Sequence, residues 1–216
     1  MENLIDQIIA KEWPLFHSVN GEERASCQND YDTFVIMRRA QYRAWSREAL
    51  ELYAADLDAA IAAGRSIVRE KYIRMMKSTD PAGYEHFSAE LPAVSDEKAK
   101  LVAQIWAHFS EQTERMRQRY PLVALGGRPL YAKDETCGWA SVESYQTGEL
   151  LTYSENTLRA LLAHIESLEK DGKDFAYIVQ ENTVRGLGYS DMEAAERVMA
   201  SRLAGRPGSE TGCCGC

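Results

Sequence analysis

Three cysteines stand close together at positions 213, 214 and 216, in the segment GSETGCCGC. Cys213 and Cys216 form a C-x-x-C spacing, and Cys214 and Cys216 form a C-x-C spacing. Thiolates at these spacings form disulfides, exchange with other thiols and bind soft metal ions, although three of them do not complete a tetrahedral zinc site. We therefore predict that Cys213, Cys214 and Cys216 serve in redox exchange, sulfur carriage or soft-metal binding.

The segment before these cysteines has the composition of a flexible arm. Residues 205–212 read GRPGSETG, a Gly-, Pro- and Ser-containing sequence typical of linkers. Twelve residues, from 205 to 216, extend up to about 40 Å at roughly 3.4 Å per residue. Such an arm can return its thiols to the rest of the protein. The alternative is a disordered end whose cysteines are incidental.

A second group of chemically capable residues lies in the stretch MRRAQYRAW, residues 37–45. Arg38, Gln41 and Trp45 are spaced by three and four residues, so they share one face of a predicted helix. A guanidinium, an amide and an indole on one face can bind a small polar ligand. The alternative is a solvated face whose aromatic side chains pack at its margin.

The elements that position these residues are predicted to be helices. Apolar residues recur at intervals of three and four along most of the chain, as in Leu4, Ile8 and Ile9 or in Leu101, Ile105 and Phe109. The nearest approach to strand alternation, DFAYIVQ, lies in a helical context. The pattern predicts an all-α protein.

The helical pattern occurs twice along the chain. KEWPLF at 11–16 corresponds to QRYPLV at 118–123, and the offset then settles at 108, which pairs Trp45 with Tyr153 and Gly64 with Gly172. The shared order of such landmarks distinguishes a duplication from chance agreement between amphipathic helices. We predict two copies of a roughly four-helix unit, residues 1–95 and 96–203, followed by a flexible cysteine-rich tail at 204–216.

The two copies are expected to pack as a single globular helical domain about a pseudo-two-fold axis, because the joining segment is too short for a flexible linker. The duplicate of the 38–45 face would bring Gln41 opposite Glu149, beside aromatic rings. The predicted pocket between the repeats consists of Arg38, Gln41, Trp45, Gln146, Glu149 and Tyr153.

Composition and charge exclude several classes of function. A formal net charge of −8 leaves no basic footprint for nucleic acid or an anionic membrane. No run of apolar residues is long enough to span a membrane, and the start, MENLIDQIIAKEW, lacks the basic region of a signal peptide. Five cysteines, an odd number, then indicate reduced thiols and a cytoplasmic location. Cys27 and Cys137 fall in the same predicted loop of each copy.

No familiar catalytic motif is present. The chain lacks a phosphate loop, G-x-G-x-x-G, H-E-x-x-H and G-x-S-x-G. His108 with Glu111 could form a metal or acid–base pair, but a hydrogen-bonded histidine at the edge of a core is the preferred interpretation. GGRP at 126–129 could bind an anion beside Arg128, but a simple turn is preferred.

Three functions therefore remain open. The first is thiol or soft-metal chemistry at the tail, with a metal ion or a thiol as partner. The second is a helical ligand-binding or adaptor module without catalysis. The third is an enzyme with a polar pocket between the repeats, acting on a small molecule. The sequence requires no cofactor, although the first function allows a soft metal ion.

Two segments resemble a known family. RASCQNDYDTFVIMRRAQYRAW, followed by GELLTYSENTLRALLAHIESLEKDGKDFAYIVQENTV, is similar to a bacterial family catalogued as domain of unknown function four-one-two-five. The resemblance covers most of residues 1–200 and leaves out the cysteine tail. It implies a soluble bacterial protein and carries no activity, cofactor or site residue with it.

Overall fold

The computed structural model describes residues 1–19, 29–136 and 139–204. These residues form α-helices joined by turns, with no β-strand among them, which confirms the all-α class. The helices are, in chain order, α1 (Glu2–His17), α2 (Tyr31–Arg43), α3 (Arg47–Ala62), α4 (Ile67–Thr79), α5 (Pro81–Phe87), α6 (Asp96–Arg119), α7 (Pro121–Ala124), α8 (Val142–Leu150), α9 (Glu155–Lys170), α10 (Phe175–Gly186) and α11 (Met192–Ala204). No helix in these ranges is both long enough and apolar enough to cross a membrane.

Local sequence explains where the two central helices begin and end. Ser46 caps α3 and Ser154 caps α9, each hydroxyl accepting a hydrogen bond from the backbone N–H three residues further on. Gly64 and Gly172 follow these helices, both with φ of 69°. That left-handed conformation costs glycine little because it has no Cβ. These residue types therefore account locally for the first and last turns of α3 and α9.

The packing of the helices repeats between the two halves of the chain. In order along the chain, α2, α3 and α4 correspond to α8, α9 and α10. Helix α2 packs on α10, and their counterparts α8 and α4 also pack on each other. A two-fold relation between the halves requires these two contacts to be equivalent. The corresponding helices α3 and α9 pack on each other. The separate boundary at residue 95 stays a prediction.

Among the described residues the two halves contain five and six α-helices, more than the four per copy that the sequence pattern suggested, and each half ends in a helix that begins at a corresponding aspartate. Asp80 caps α5 by accepting a hydrogen bond from the Gly83 N–H at 3.0 Å, and Pro81 follows as the first helical residue. Asp191 accepts a hydrogen bond from the Ala194 N–H at 2.7 Å at the start of α11. Helices α5, with 7 residues, and α11, with 13, therefore extend the two copies at corresponding positions.

The aromatic-proline landmark occupies different structural positions in the two halves. Pro14 lies inside α1, whereas Pro121 begins the separate four-residue helix α7. Helix α6, with 24 residues, is also longer than α1, with 16. The first helices of the two halves therefore diverge more than the helices that follow them.

One continuous apolar core joins the two halves. Leu50 and Leu57 of α3 pack in the same cluster as Leu158 and Ile165 of α9, and all four are almost completely buried. Burying a leucine or isoleucine side chain stabilises the fold by about 1.5–3 kcal/mol. The shared core fixes the position of α2 relative to α8.

Two glycines allow close approach between helices of different halves, α10 to α2 and α8 to α4. A Cβ built on Gly186 of α10 would lie 2.7 Å from Ile36 Cγ2 of α2. A Cβ on Gly148 of α8 would lie 3.3 Å from the backbone oxygen of Lys71 on α4. The second contact brings the side chains of α4 next to the carboxyl-terminal part of α8.

Candidate ligand-binding site

Arg38, on α2, lies at the centre of a buried ion-pair cluster between the two halves. Its Nε donates to Glu12 Oε2 at 2.9 Å, and its Nη2 donates to the other oxygen of Glu12. Its Nη1 donates to Glu149 Oε1 at 2.7 Å. The Glu12 and Glu149 side chains are only 1% and 5% exposed. One guanidinium therefore bridges a carboxylate of α1 and a carboxylate of α8.

Glu149 accepts hydrogen bonds from four side chains. Besides Arg38, Oε1 accepts from Gln41 Nε2 at 3.1 Å and from the Tyr153 hydroxyl at 2.7 Å, while Oε2 accepts from Lys71 Nζ. Burial raises the pKa of Glu149, but the positive charges of Arg38 and Lys71 and the donated hydrogen bonds outweigh it. The pKa of Glu149 is therefore held well below its usual range, and the group is a carboxylate.

Two tyrosines complete the surroundings of Glu12. The Tyr42 hydroxyl donates to Glu12 Oε1 at 2.6 Å, and the Tyr53 hydroxyl donates to the same oxygen. Desolvation raises the pKa of both phenols, so they remain neutral donors. Every carboxylate oxygen of Glu12 and Glu149 accepts at least one hydrogen bond from the protein.

Lys71, on α4, keeps donor capacity that the protein does not use. Among the described residues, Glu149 alone accepts a hydrogen bond from its ammonium group. The Nζ atom also lies 3.3 Å from the centroid of the Tyr145 ring, a cation–π contact. The Tyr72 ring centroid lies further away, at 6.0 Å. An ammonium has three N–H donors, so Lys71 can still donate to a hydrogen-bond acceptor in addition to Glu149.

A cavity of about 190 Å³, called the small cavity below, opens onto this cluster. Its polar lining consists mainly of Glu12, Arg38, Lys71 and Glu149. Its apolar and aromatic walls are formed by Phe16, Phe34, Met37, Ile67, Val68, Tyr53, Tyr72 and Tyr145. The exposed Arg128 also lines it, with Cζ 5.4 Å from the Tyr145 ring centroid.

A second opening of about 510 Å³, called the large cleft below, adjoins the small cavity. The two share Met37, Arg38, Arg128 and Tyr145, which therefore form the wall between them. The large cleft extends along α6 and α10, where its walls are mainly apolar and aromatic. The junction of the two halves thus contains two adjoining compartments of different size.

The predicted pocket residues are brought together by the structure. Gln41 and Glu149 face each other as the duplication predicted, and the Trp45 and Tyr153 ring centroids lie 5.7 Å apart. Tyr153 supports Glu149 from the core, and Trp45 is 3% exposed. Gln146 is more distant from the ion pairs and lines the large cleft together with Gln41 and Trp45. That these residues bind a ligand stays a prediction.

Sequence reasoning missed Glu12 and Lys71, which complete the cluster. Glu12 continues the buried stripe of Ile5 and Ile9 on α1, and Lys71 stands four residues after the buried Ile67 on α4. A charged residue on an apolar stripe is rarely buried unless it is paired. A charged residue at a buried position of the helical pattern was therefore the sequence signal that could have identified Glu12 and Lys71.

The histidine pair suggested by the sequence does not form. His108 Nδ1 lies 2.9 Å from Glu169 Oε1, whereas Glu111 pairs with Arg115 one turn further along α6. Gln112 Nε2 donates to the same Glu169 oxygen at 2.7 Å. The pairing fails because His108 faces α9 and Glu111 faces outwards. His108 is a hydrogen-bonded residue at the core edge, as the preferred interpretation held.

All five cysteines lie outside the described residues. Cys27, Cys137 and the tail residues Cys213, Cys214 and Cys216 belong to the ranges that are not described. Within residues 1–19, 29–136 and 139–204, no group of three or more His, Cys, Asp or Glu side chains is arranged to hold a metal ion. The thiol and soft-metal hypothesis therefore remains a prediction from the sequence.

Comparison with known proteins places the chain without assigning an activity. A family model described as "Protein of unknown function (DUF4125)" matches residues 2–197. No curated protein and no solved structure matches the chain. The matched range contains both compartments and stops before the three clustered cysteines.

Proposed function

We propose that this chain, a member of the DUF4125 family, binds a small organic anion in the small cavity between its two halves. The observation that supports the proposal is the contrast between Lys71 and the two carboxylates. Lys71 keeps an N–H donor, whereas every oxygen of Glu12 and Glu149 already accepts a hydrogen bond. A ligand oxygen that enters the cavity can therefore accept the hydrogen bond that Lys71 still offers.

The charges around the small cavity favour an anion over a neutral acceptor. Its lining contains the cations Arg38, Lys71 and Arg128 but only the two carboxylates Glu12 and Glu149. Among the described residues, no carboxylate forms an ion pair with Arg128. This positive excess occurs in a protein with a net charge of −8. An anionic ligand would balance it.

The shape of the cavity limits the ligand to a small molecule with an apolar body. Its volume of about 190 Å³ lies below the roughly 300–1,000 Å³ of pockets for drug-sized ligands. Phe16, Phe34 and Tyr72 form much of the wall and would pack on an aliphatic or aromatic group. We therefore propose a short aliphatic or arylalkyl carboxylate as the ligand class.

The same geometry supports binding more than acid–base catalysis. A general base needs an oxygen within reach of the substrate and a pKa near the working pH. The pKa of Glu149 is held well below that range by Arg38 and Lys71. The hydroxyl groups of Tyr42 and Tyr53 already donate hydrogen bonds to Glu12. We therefore prefer the ligand-binding alternative to the enzyme alternative.

Calorimetric titration of the full chain with 3-phenylpropionate and with its neutral counterpart, 3-phenylpropanol, tests this proposal. The carboxylate should bind and the alcohol should bind at least about tenfold more weakly, a difference of about 1.4 kcal/mol. Lys71→Met should weaken carboxylate binding by a similar factor, while Lys71→Arg should retain part of it. Lys77→Met changes an exposed lysine on the same helix and is the matched control.

Two results would contradict the proposal. The first is equal affinity of the carboxylate and the alcohol. The second is equal affinity of Lys71→Met and Lys77→Met for the carboxylate, with both variants showing the far-UV circular dichroism of the unmodified protein. Glu149 keeps Arg38, Gln41 and Tyr153 as donors in Lys71→Met, so we expect this variant to fold.

A second proposed function concerns the tail. We propose that Cys213, Cys214 and Cys216 carry out thiol exchange, sulfur carriage or soft-metal binding, because three thiols lie within four residues. The partner would be a thiol or a soft metal ion. This proposal includes a cytoplasmic location, where thiols stay reduced.

A further inference from the structure

The large cleft carries positive charges that the ion-pair cluster does not use. Its charged lining residues are Arg38, Arg117 and Arg128, and no described aspartate or glutamate lines it. Arg38 is paired with Glu12 and Glu149. Within the described part of the chain, no carboxylate forms an ion pair with Arg117 or Arg128. Among the residues that the structure describes, the cleft therefore holds two guanidinium groups that no carboxylate pairs with.

Arg117 and Arg128 are each held in place by a hydrogen bond from the guanidinium to a backbone oxygen. Arg117 Nη2 donates to the backbone oxygen of Arg128 at 2.9 Å, and Arg128 Nη1 donates to the backbone oxygen of Ala140 at 2.9 Å. Each contact uses one of the five N–H donors of a guanidinium. Burial lowers the pKa of Arg117, the expected effect on a desolvated cation that lacks a counter-ion.

The rest of the large cleft fits a planar ring with polar edges. Trp106, Phe109 and Phe175 contribute aromatic surface to its walls. Gln146 and Gln180 also line it, and their amides make no hydrogen bond to any described residue. A free amide can donate and accept, so it can pair with the edge of a heterocycle. The volume of about 510 Å³ lies within the roughly 300–1,000 Å³ typical of ligand pockets.

We propose that the large cleft binds an aromatic phosphate ester, the class that includes mononucleotides. A phosphate monoester carries nearly two negative charges at neutral pH, which match the two uncompensated arginines better than a carboxylate does. Its three terminal oxygens can accept hydrogen bonds from both guanidinium groups. The ring packs against Trp106 and Phe109, and its polar edge meets Gln146 and Gln180. This inference does not depend on Lys71, although Arg128 lines both compartments.

Calorimetric titration of the full chain with adenosine monophosphate, adenosine and inorganic phosphate tests the inference. The monophosphate should bind, and adenosine should bind at least about tenfold more weakly, as expected when charge-assisted hydrogen bonds are lost. Arg117→Gln and Arg128→Gln should each weaken monophosphate binding by about tenfold or more. Arg119→Gln, at an exposed position on the same helix as Arg117, should leave it unchanged.

Tryptophan fluorescence tests where the aromatic ring of the ligand binds. Binding of adenosine monophosphate should quench the tryptophan fluorescence of the protein, and Trp106→Phe should reduce that change, leaving the contribution of Trp45, which also lines the cleft. Arg117→Lys keeps the charge but not the planar fork, so it should bind with intermediate affinity. This milder variant keeps the test decisive if Arg117→Gln does not fold.

Failure of the monophosphate to bind would overturn the inference. So would equal affinity of the unmodified protein, Arg117→Gln and Arg128→Gln for it, or equal binding of adenosine and its monophosphate. Lys71 lines only the small cavity and Arg117 lines only the large cleft. Lys71→Met should therefore affect 3-phenylpropionate alone, and Arg117→Gln should affect adenosine monophosphate alone, so each proposal can fail without the other.

Discussion

Gln41 and Glu149 occupy corresponding positions, 108 residues apart, and hydrogen-bond to each other across the junction of the two halves, Gln41 Nε2 to Glu149 Oε1 at 3.1 Å. Corresponding residues meet in this way only close to a two-fold axis. Trp45 and Tyr153, also 108 residues apart, are in ring contact beside them. The axis is chemically asymmetric, because an amide in one half faces a carboxylate in the other.

This asymmetry predicts the effect of restoring a symmetric pair. Gln41→Glu would place a second carboxylate beside Glu149, and Arg38, which donates to Gln41 Oε1 at 3.0 Å, is already shared by Glu12 and Glu149. Repulsion between the carboxylates should then exceed the attraction of Arg38 and raise the pKa of the new group, which binds a proton more readily in the folded protein than in the unfolded chain. The variant should therefore be destabilised at pH 8 and should recover stability, relative to the unmodified protein, as the pH falls towards 5. Urea denaturation at both pH values measures this. Gln118→Glu, at an exposed position, should show no such recovery, and identical behaviour of the two variants would refute the prediction.

Acid should weaken the fold through Glu149. Its pKa is lowered by Arg38 and Lys71, so its contribution to the free energy of unfolding is complete above the unfolded pKa of about 4.3 and is lost as the pH falls towards the folded value. The unmodified protein should lose stability steeply below about pH 5. Glu149→Gln should start less stable at pH 7 and show a shallower loss between pH 5 and pH 3. Parallel curves of denaturation midpoint against pH for the two proteins would show that Glu149 is not responsible.

Close packing between α2 and α10 makes Gly186 sensitive to any side chain. Gly186→Ala would place its Cβ 2.7 Å from Ile36 Cγ2. Overpacking of this kind costs about 1–3 kcal/mol, which exceeds the gain of up to about 1 kcal/mol from better helix propensity. A double-mutant cycle with Ile36→Ala, followed by urea denaturation, should show that Ile36→Ala relieves much of the cost. Additive effects of the two substitutions would contradict the contact.

Removal of the tail should separate thiol chemistry from folding. Deletion of residues 205–216 should leave the melting temperature within about 1–2 °C, because an arm rich in Gly, Pro and Ser contributes little to a core. The same deletion should abolish the binding of Cu(I) measured against a competing chelator, and any rapid loss of thiols on mild oxidation. Ser substitutions at Cys213, Cys214 and Cys216 distinguish disulfide exchange, which traps a mixed disulfide in one variant, from metal binding, which weakens stepwise. A tail that binds Cu(I) no better than a single thiol would refute the proposal.

Local spacing alone determined much of the fold and part of the site. Ser46 and Ser154 are of a residue type that favours helix N-caps, and they cap the central helices. The offset of 108 placed Gln41 opposite Glu149. The three- and four-residue spacing of Arg38, Gln41 and Trp45 was sufficient to put them on one face. These features depend on a helical period and a repeat, both of which can be read along the chain.

Only the tertiary structure decided which charges complete the site. Glu12 and Lys71 come from α1 and α4, and their distances to Arg38 and Glu149 depend on how closely those helices cross. Gly148 permits the close crossing of α8 and α4, because a Cβ there would lie 3.3 Å from the Lys71 backbone oxygen. Crossing distance and depth of burial arise from packing between segments far apart in sequence, so no local pattern contains them.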